Sequence, residues 1–96
     1  MKTLSYGRQF IDDDDIDAVV AVLKGDWLTQ GPSVKEFEER FAEYVGTSYA
    51  VAFANGTAAL HGAYFAAGVE AGDEVLTSAM TFAATGNAAL YLGGTP

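Results

Sequence analysis

The sequence predicts an α/β fold with a mostly parallel sheet and flanking helices. Three observations point to it. Two leading segments carry apolar residues at helical spacing. A continuously apolar stretch, Tyr49-Ala50-Val51-Ala52-Phe53-Ala54, then ends in a glycine break, as a strand covered on both faces does. Beyond it strand-like and helix-like segments alternate, the order of βαβ units joined by right-handed crossovers.

The first helix is expected over residues 13–24, where Ile16, Val19, Val20 and Leu23 fall at i, i+3, i+4 and i+7. Lys24 suits the last turn and Gly25 the stop. Asp12 to Asp15 and Asp17 concentrate the acidic charge at its start. A carboxylate cluster can hold a hard cation, but adjacent helical residues point in different directions. Favouring the positive end of the helix is therefore the preferred role of these residues. The loop Asp26-Trp27-Leu28-Thr29-Gln30-Gly31-Pro32 follows, punctuated by Gly-Pro. In the second helix Ser33 and Glu36 have capping-box spacing, and Val34, Phe37, Phe41, Tyr44 and Val45 form its apolar stripe. Gly46 ends it.

After the strand at 49–54, residues 58–67 are apolar almost all round, which implies a helix buried within a larger body. Gly72-Asp73 turns into a short strand at 74–77, and 82–92 reads as a further helix closed by Gly93-Gly94. Thr95-Pro96 would lead into another strand. Two short strands do not make a stable parallel sheet. The expectation is thus a single segment, 1–96, cut from the N-terminal part of a larger domain. Leading helices occupy 1–46 and a βαβα portion 47–96.

Half of the 96 residues are hydrophobic, so the chain is neither disordered nor low in complexity. A formal net charge of −8 argues against nucleic acid as a partner. The apolar runs are too short to span a membrane, and residues 1–8 lack the apolar stretch of a secretory signal. There is no cysteine for disulfides or thiolate metal sites. A cytoplasmic location is expected.

The stretch Asn55-Gly56-Thr57-Ala58-Ala59-Leu60 carries the clearest chemistry. Unpaired N–H groups at a helix start, reinforced by the helix dipole, attract an anion. Gly56 lets the backbone approach closely and Thr57 adds a hydroxyl donor. From these residues alone, an ordinary strand-to-helix turn with Thr57 as N-cap is the favoured alternative.

Four stretches change that balance when taken in order: Asp26-Trp27-Leu28-Thr29-Gln30-Gly31-Pro32, Asn55-Gly56-Thr57-Ala58-Ala59-Leu60, Gly72-Asp73-Glu74-Val75 and Thr81-Phe82-Ala83-Ala84-Thr85. Together they resemble the start of the DegT/DnrJ/EryC1/StrS family of pyridoxal-phosphate (PLP)-dependent aminotransferases acting on nucleotide-linked keto-sugars. One departure is Gly94, where alanine is common in the closing Gly-x-Thr-Pro. The resemblance implies the N-terminal part of a fold-type I aminotransferase large domain, and a homodimer. It implies that Gly56, Thr57 and Ala58 hold the PLP phosphate and that the Phe82 ring stacks on the pyridine ring. Tyr6, Asp26, Trp27, Leu28 and Thr29 match positions that touch the sugar or its nucleotide, although Trp27 serves equally well as a packing anchor. His61 reads as structural.

The family's catalytic residues, a Schiff-base lysine and a carboxylate at the pyridine nitrogen, are expected beyond residue 96. Lys2, Lys24 and Lys35 lie in no matching motif and are assigned no such role. The implied reaction of the parent protein moves an amino group from an amino acid, commonly glutamate, to a nucleotide-linked keto-sugar. Two alternatives stand beside it. One is a sugar dehydratase of the same family, with histidine in place of lysine. The other is a catalytically inactive folding or dimerisation unit.

Overall fold

The structure is a computed structural model and describes residues 7–96. Tyr6, expected to touch substrate, lies outside the described residues. The chain divides into two compact units, Met1–Ala50 and Val51–Pro96.

In the first unit, α1 spans Asp13–Lys24, over the residues the periodicity predicts. Its start is held by a reciprocal pair that the sequence reading missed. The Asp12 carboxylate accepts from the Asp15 N–H at 3.2 Å, and the Asp15 carboxylate accepts from the Asp12 N–H at 3.2 Å. This is a capping box with aspartate in place of the usual glutamate. Asp13, Asp14 and Asp15 crowd the positive end of the helix dipole and Lys24 sits at the negative end. The apolar stripe of Ile11, Ile16, Val19 and Val20 lines an open groove with no buried residue.

The loop between the helices is tightly wound. Gln30 has φ 52°, in the left-handed region. A Cβ added at Gly31 would lie 2.7 Å from the Cβ of Trp27, so only glycine fits beneath the start of that side chain. Helix α2 then runs Pro32–Val45 with Gly31 as its N-cap. The expected Ser33–Glu36 capping box is not formed. Pro32 takes the first helical position, where its fixed φ and missing N–H are suited, and this places Ser33 inside the first turn. Glu36 pairs instead with Arg40 at 2.9 Å, one turn on. Phe37 and Phe41 stack at 5.8 Å, and Ala42 is buried. Gly46 closes the helix at φ 74°, with the Thr47 N–H donating to the Ala42 carbonyl at 2.9 Å.

In the second unit, α3 spans Gly56–Ala66 and α4 spans Ala84–Tyr91. They pack on each other. Ala84, Ala88 and Ala89 of α4 are buried, and their small side chains allow close approach. His61 of α3 meets Tyr91 of α4 edge to face, with ring centroids 5.4 Å apart. Gly94 is buried behind α4, its N–H donating to the Ala89 carbonyl at 3.0 Å. An added Cβ there would stand 3.1 Å from Val69, which gives a packing reason for glycine at 94 in this chain.

The structure corrects three expectations here. No strand forms at 49–54 or 74–77 among the described residues, and the mostly parallel sheet is not shown. One isolated parallel bridge, Glu74 to Thr95, stands in its place, with Val75 N–H to Thr95 O and Thr95 N–H to Asp73 O both at 2.8 Å. The reason is that ladder hydrogen bonds need a neighbouring strand, which local apolarity cannot supply. Helix α3 has no buried residue, only half-buried and exposed ones, Phe65 among the exposed. Helix α4 starts at Ala84, which leaves Phe82 ahead of it. No helix among the described residues is long and apolar enough to cross a membrane.

Candidate cofactor and substrate site

The start of α3 is built by Asn55. Its extended backbone (φ −164°, ψ 169°) makes it the N-cap, and its side-chain oxygen accepts from the Ala58 N–H at 2.9 Å. The Asn55 carbonyl takes the Ala59 N–H at 3.1 Å. Thr57 is therefore not the N-cap. Asparagine is among the strongest N-cap residues, so this signal was present in the sequence and was missed.

That arrangement decides which donors remain. Of the first three helical N–H groups, Ala58 is engaged by the cap, while those of Gly56 and Thr57 donate to no described residue. The Thr57 hydroxyl is likewise uncommitted, and Thr57 is half-buried. Gly56 has no positive φ, and a Cβ added to it would meet nothing within 4 Å. Neither backbone conformation nor packing within the chain demands glycine at 56. The open space admits a group that approaches the backbone closely. Two free N–H groups, one hydroxyl and the dipole of an 11-residue helix suit a phosphate.

Beside this end, Phe53, Ala58, His61, Gly62 and Phe65 line an open groove of about 350 Å³. The Phe53 ring lies over Gly62, where an added Cβ would come within 2.5 Å of it.

Phe82 sits in the turn entering α4. Its carbonyl accepts the Thr85 N–H at 3.0 Å, and the hydroxyls of Thr81 and Thr85 bond across the turn at 2.9 Å. The backbone is thus fixed while the ring is 78% exposed, presenting an aromatic face outward.

Asp26, Trp27, Leu28 and Thr29 belong to the first unit and Gly56, Thr57, Ala58 and Phe82 to the second. All four residues of the loop are exposed. Trp27, Asp26 and Gly25 border an open groove of about 250 Å³ with Ala21, Val22, Pro32 and Ser33. The close fit of Trp27 to Gly31 comes from the left-handed turn at Gln30, for which the sequence held no signal. No group of acidic or imidazole side chains among the described residues is arranged to hold a metal ion.

Known proteins resemble this chain along nearly its whole length. It is 43% identical over 93 residues to the spore coat polysaccharide biosynthesis protein SpsC of Bacillus subtilis (strain 168), covering 97% of this chain and 24% of that one. It is 48% identical over 90 residues to a UDP-4-amino-4,6-dideoxy-N-acetyl-beta-L-altrosamine transaminase of Campylobacter jejuni, covering 94% and 24%. The chain therefore spans about a quarter of the length of these relatives. A Streptococcus pneumoniae protein described as a sugar aminotransferase, solved in a PLP form, superposes with a TM-score of 0.86 at 34% identity, over 99% of this chain and 24% of that one. The aminotransferase from Psychrobacter cryohalolentis does so with a TM-score of 0.79 at 36% identity, over 91% and 22%. The profile of the DegT/DnrJ/EryC1/StrS aminotransferase family matches residues 9–96, and the chain belongs to that family.

Proposed function

We propose that the chain supplies the phosphate end of the PLP site in an aminotransferase. The protein transfers an amino group from an amino acid, glutamate in our reading, to a nucleotide-linked keto-sugar in polysaccharide or amino-sugar biosynthesis. The observation that carries this is the start of α3, where two N–H groups and a hydroxyl stand free beside a glycine that neither φ nor packing requires. When bound, PLP provides the electron sink for amino-group transfer.

The residues of this chain bind and orient. Gly56 and Thr57 donate backbone N–H groups and Thr57 its hydroxyl to the phosphate, while Ala58, tied to Asn55, fixes the helix end. Phe82 covers the pyridine ring on one face and keeps water from it. Asp26, Trp27, Leu28 and Thr29, with Tyr6, contact the sugar or its nucleotide. The extended stretch at 49–54 pairs within the mostly parallel sheet of a fold-type I large domain in a cytoplasmic homodimer. The names of the relatives, among them a UDP-amino-sugar transaminase, support the substrate class.

Spectroscopic titration with PLP tests the site. Thr57→Ala is expected to weaken binding by about 1 kcal/mol, roughly fivefold, the size of one hydrogen bond. Unchanged affinity removes Thr57 from the phosphate site. No lysine of the chain lies in a matching motif, so incubation of the 96-residue chain with PLP, glutamate and a nucleotide-linked keto-sugar should give no turnover.

A further inference from the structure

We propose that the Asn55–Gly56 bond is a site of spontaneous self-modification, at which Asn55 is converted to aspartate and isoaspartate. The backbone nitrogen of Gly56 attacks the side-chain carbon of Asn55. A new C–N bond closes a five-membered succinimide, the bond to the amide nitrogen breaks, and ammonia leaves with the proton that Gly56 gives up. Water then opens the ring at either carbonyl. The net reaction consumes one water, releases one ammonia and involves no oxidant or reductant.

Four features of the structure favour this step. The following residue is glycine, so no Cβ obstructs the attacking nitrogen, and the space where one would stand is empty. The Gly56 N–H donates to no described residue, so no hydrogen bond has to be broken to free it. The Ala58 N–H points at the Asn55 side-chain oxygen from 2.9 Å. Negative charge develops on that oxygen as the ring closes, and a fixed N–H donor stabilises it. Asn55 is exposed, which gives water access to the ring.

The chain carries its own control. Asn87, its other asparagine, lies inside α4 and is followed by the buried Ala88, whose nitrogen is part of the helix. Asn87 is exposed as Asn55 is, but no glycine follows it, the next nitrogen is held in the helix, and no N–H of a described residue donates to its side chain.

Conversion changes the start of α3. Aspartate keeps an oxygen for the cap but adds a negative charge beside Gly56 and Thr57. Isoaspartate adds a methylene to the main chain and displaces both N–H groups. Given the cofactor site proposed above, on which this consequence rests, either product turns an anion-attracting helix end into one that repels or misplaces phosphate.

The test holds the native protein in a warm neutral buffer for weeks and follows both asparagines by peptide mass spectrometry, with chromatography to separate the isoaspartyl form. Asn55 is expected to show the mass gain of amide-to-acid exchange, in both product forms, while Asn87 stays intact. Gly56→Ala, for which the site has room, should slow conversion severalfold. An Asn55 that persists, converts no faster than Asn87, or is indifferent to Gly56→Ala overturns the proposal. Anion exchange then separates the intact and converted pools for titration with PLP. Weaker binding by the converted pool supports the consequence, and equal binding by both pools overturns it. Binding by neither pool instead overturns the cofactor-site reading, while the mass measurement still decides the modification.

Discussion

At the scale of single residues, Asn55 joins two requirements that substitution can separate. As N-cap it satisfies the Ala58 N–H, and removing that acceptor in Asn55→Ala should cost about 1 kcal/mol of stability. Aspartate caps a helix about as well, and its charge favours the positive end of the dipole. Asn55→Asp should therefore hold or slightly raise stability in urea or thermal melts. A phosphate bound at Gly56 and Thr57 reverses the preference, because a carboxylate next to it repels the ligand. The expected result is a well-folded Asn55→Asp protein with weakened PLP binding. Stability and affinity that rise or fall together would reduce Asn55 to a structural cap. The neutral amide is thus a choice that helix energetics alone does not explain.

At the scale of elements, α1 rests on its termini, since none of its residues is buried. Losing the Asp12 carboxylate should matter more than losing a surface ion pair. Asp12→Ala is expected to cost about 1 kcal/mol, while Glu36→Ala, which breaks the exposed pair with Arg40, should change stability by no more than about 0.5 kcal/mol. Circular dichroism during urea titration measures both, and equal losses would refute the ranking. The same contrast explains what the sequence made legible. Helix α1 was readable to its ends because spacing, acidic start and Gly25 are all local signals. Helix α2 was readable except at its start, where Pro32 outranked the Ser33–Glu36 pattern. The segment at 49–54 has strand composition, yet no strand forms there among the described residues, because a strand is defined by its neighbours. In the candidate site, the helix start and its glycine were legible. The capping role of Asn55 was legible but given to Thr57. The fit of Trp27 against Gly31 was not legible, because it depends on one left-handed turn.

At the scale of the whole molecule, the apolar residues and the surface are out of proportion. A folded body of 10.1 kDa exposes about 5,300 Å², and two separate bodies of half that mass about 6,400 Å², by the scaling of surface with mass. The chain exposes 8558 Å². The excess holds even when the two units are counted apart, so it does not depend on their arrangement. Much of it is apolar, with Ile16, Val19 and Leu23 on α1, Phe37 and Phe41 on α2 and Phe65 on α3 all exposed. Monomeric soluble proteins rarely leave contiguous apolar faces of this kind open. Among the described residues, four buried alanines are a small core to set against the entropy of ordering the chain. The 96-residue chain in isolation should therefore bind an apolar dye such as ANS in native buffer while keeping the far-ultraviolet signal of helices α1 to α4. It should also self-associate as its concentration rises. Dye fluorescence and light scattering across a dilution series read both effects. A monodisperse monomer that leaves the dye dark would mean that the exposed faces close on themselves in solution, and would count against a covering surface outside these 96 residues.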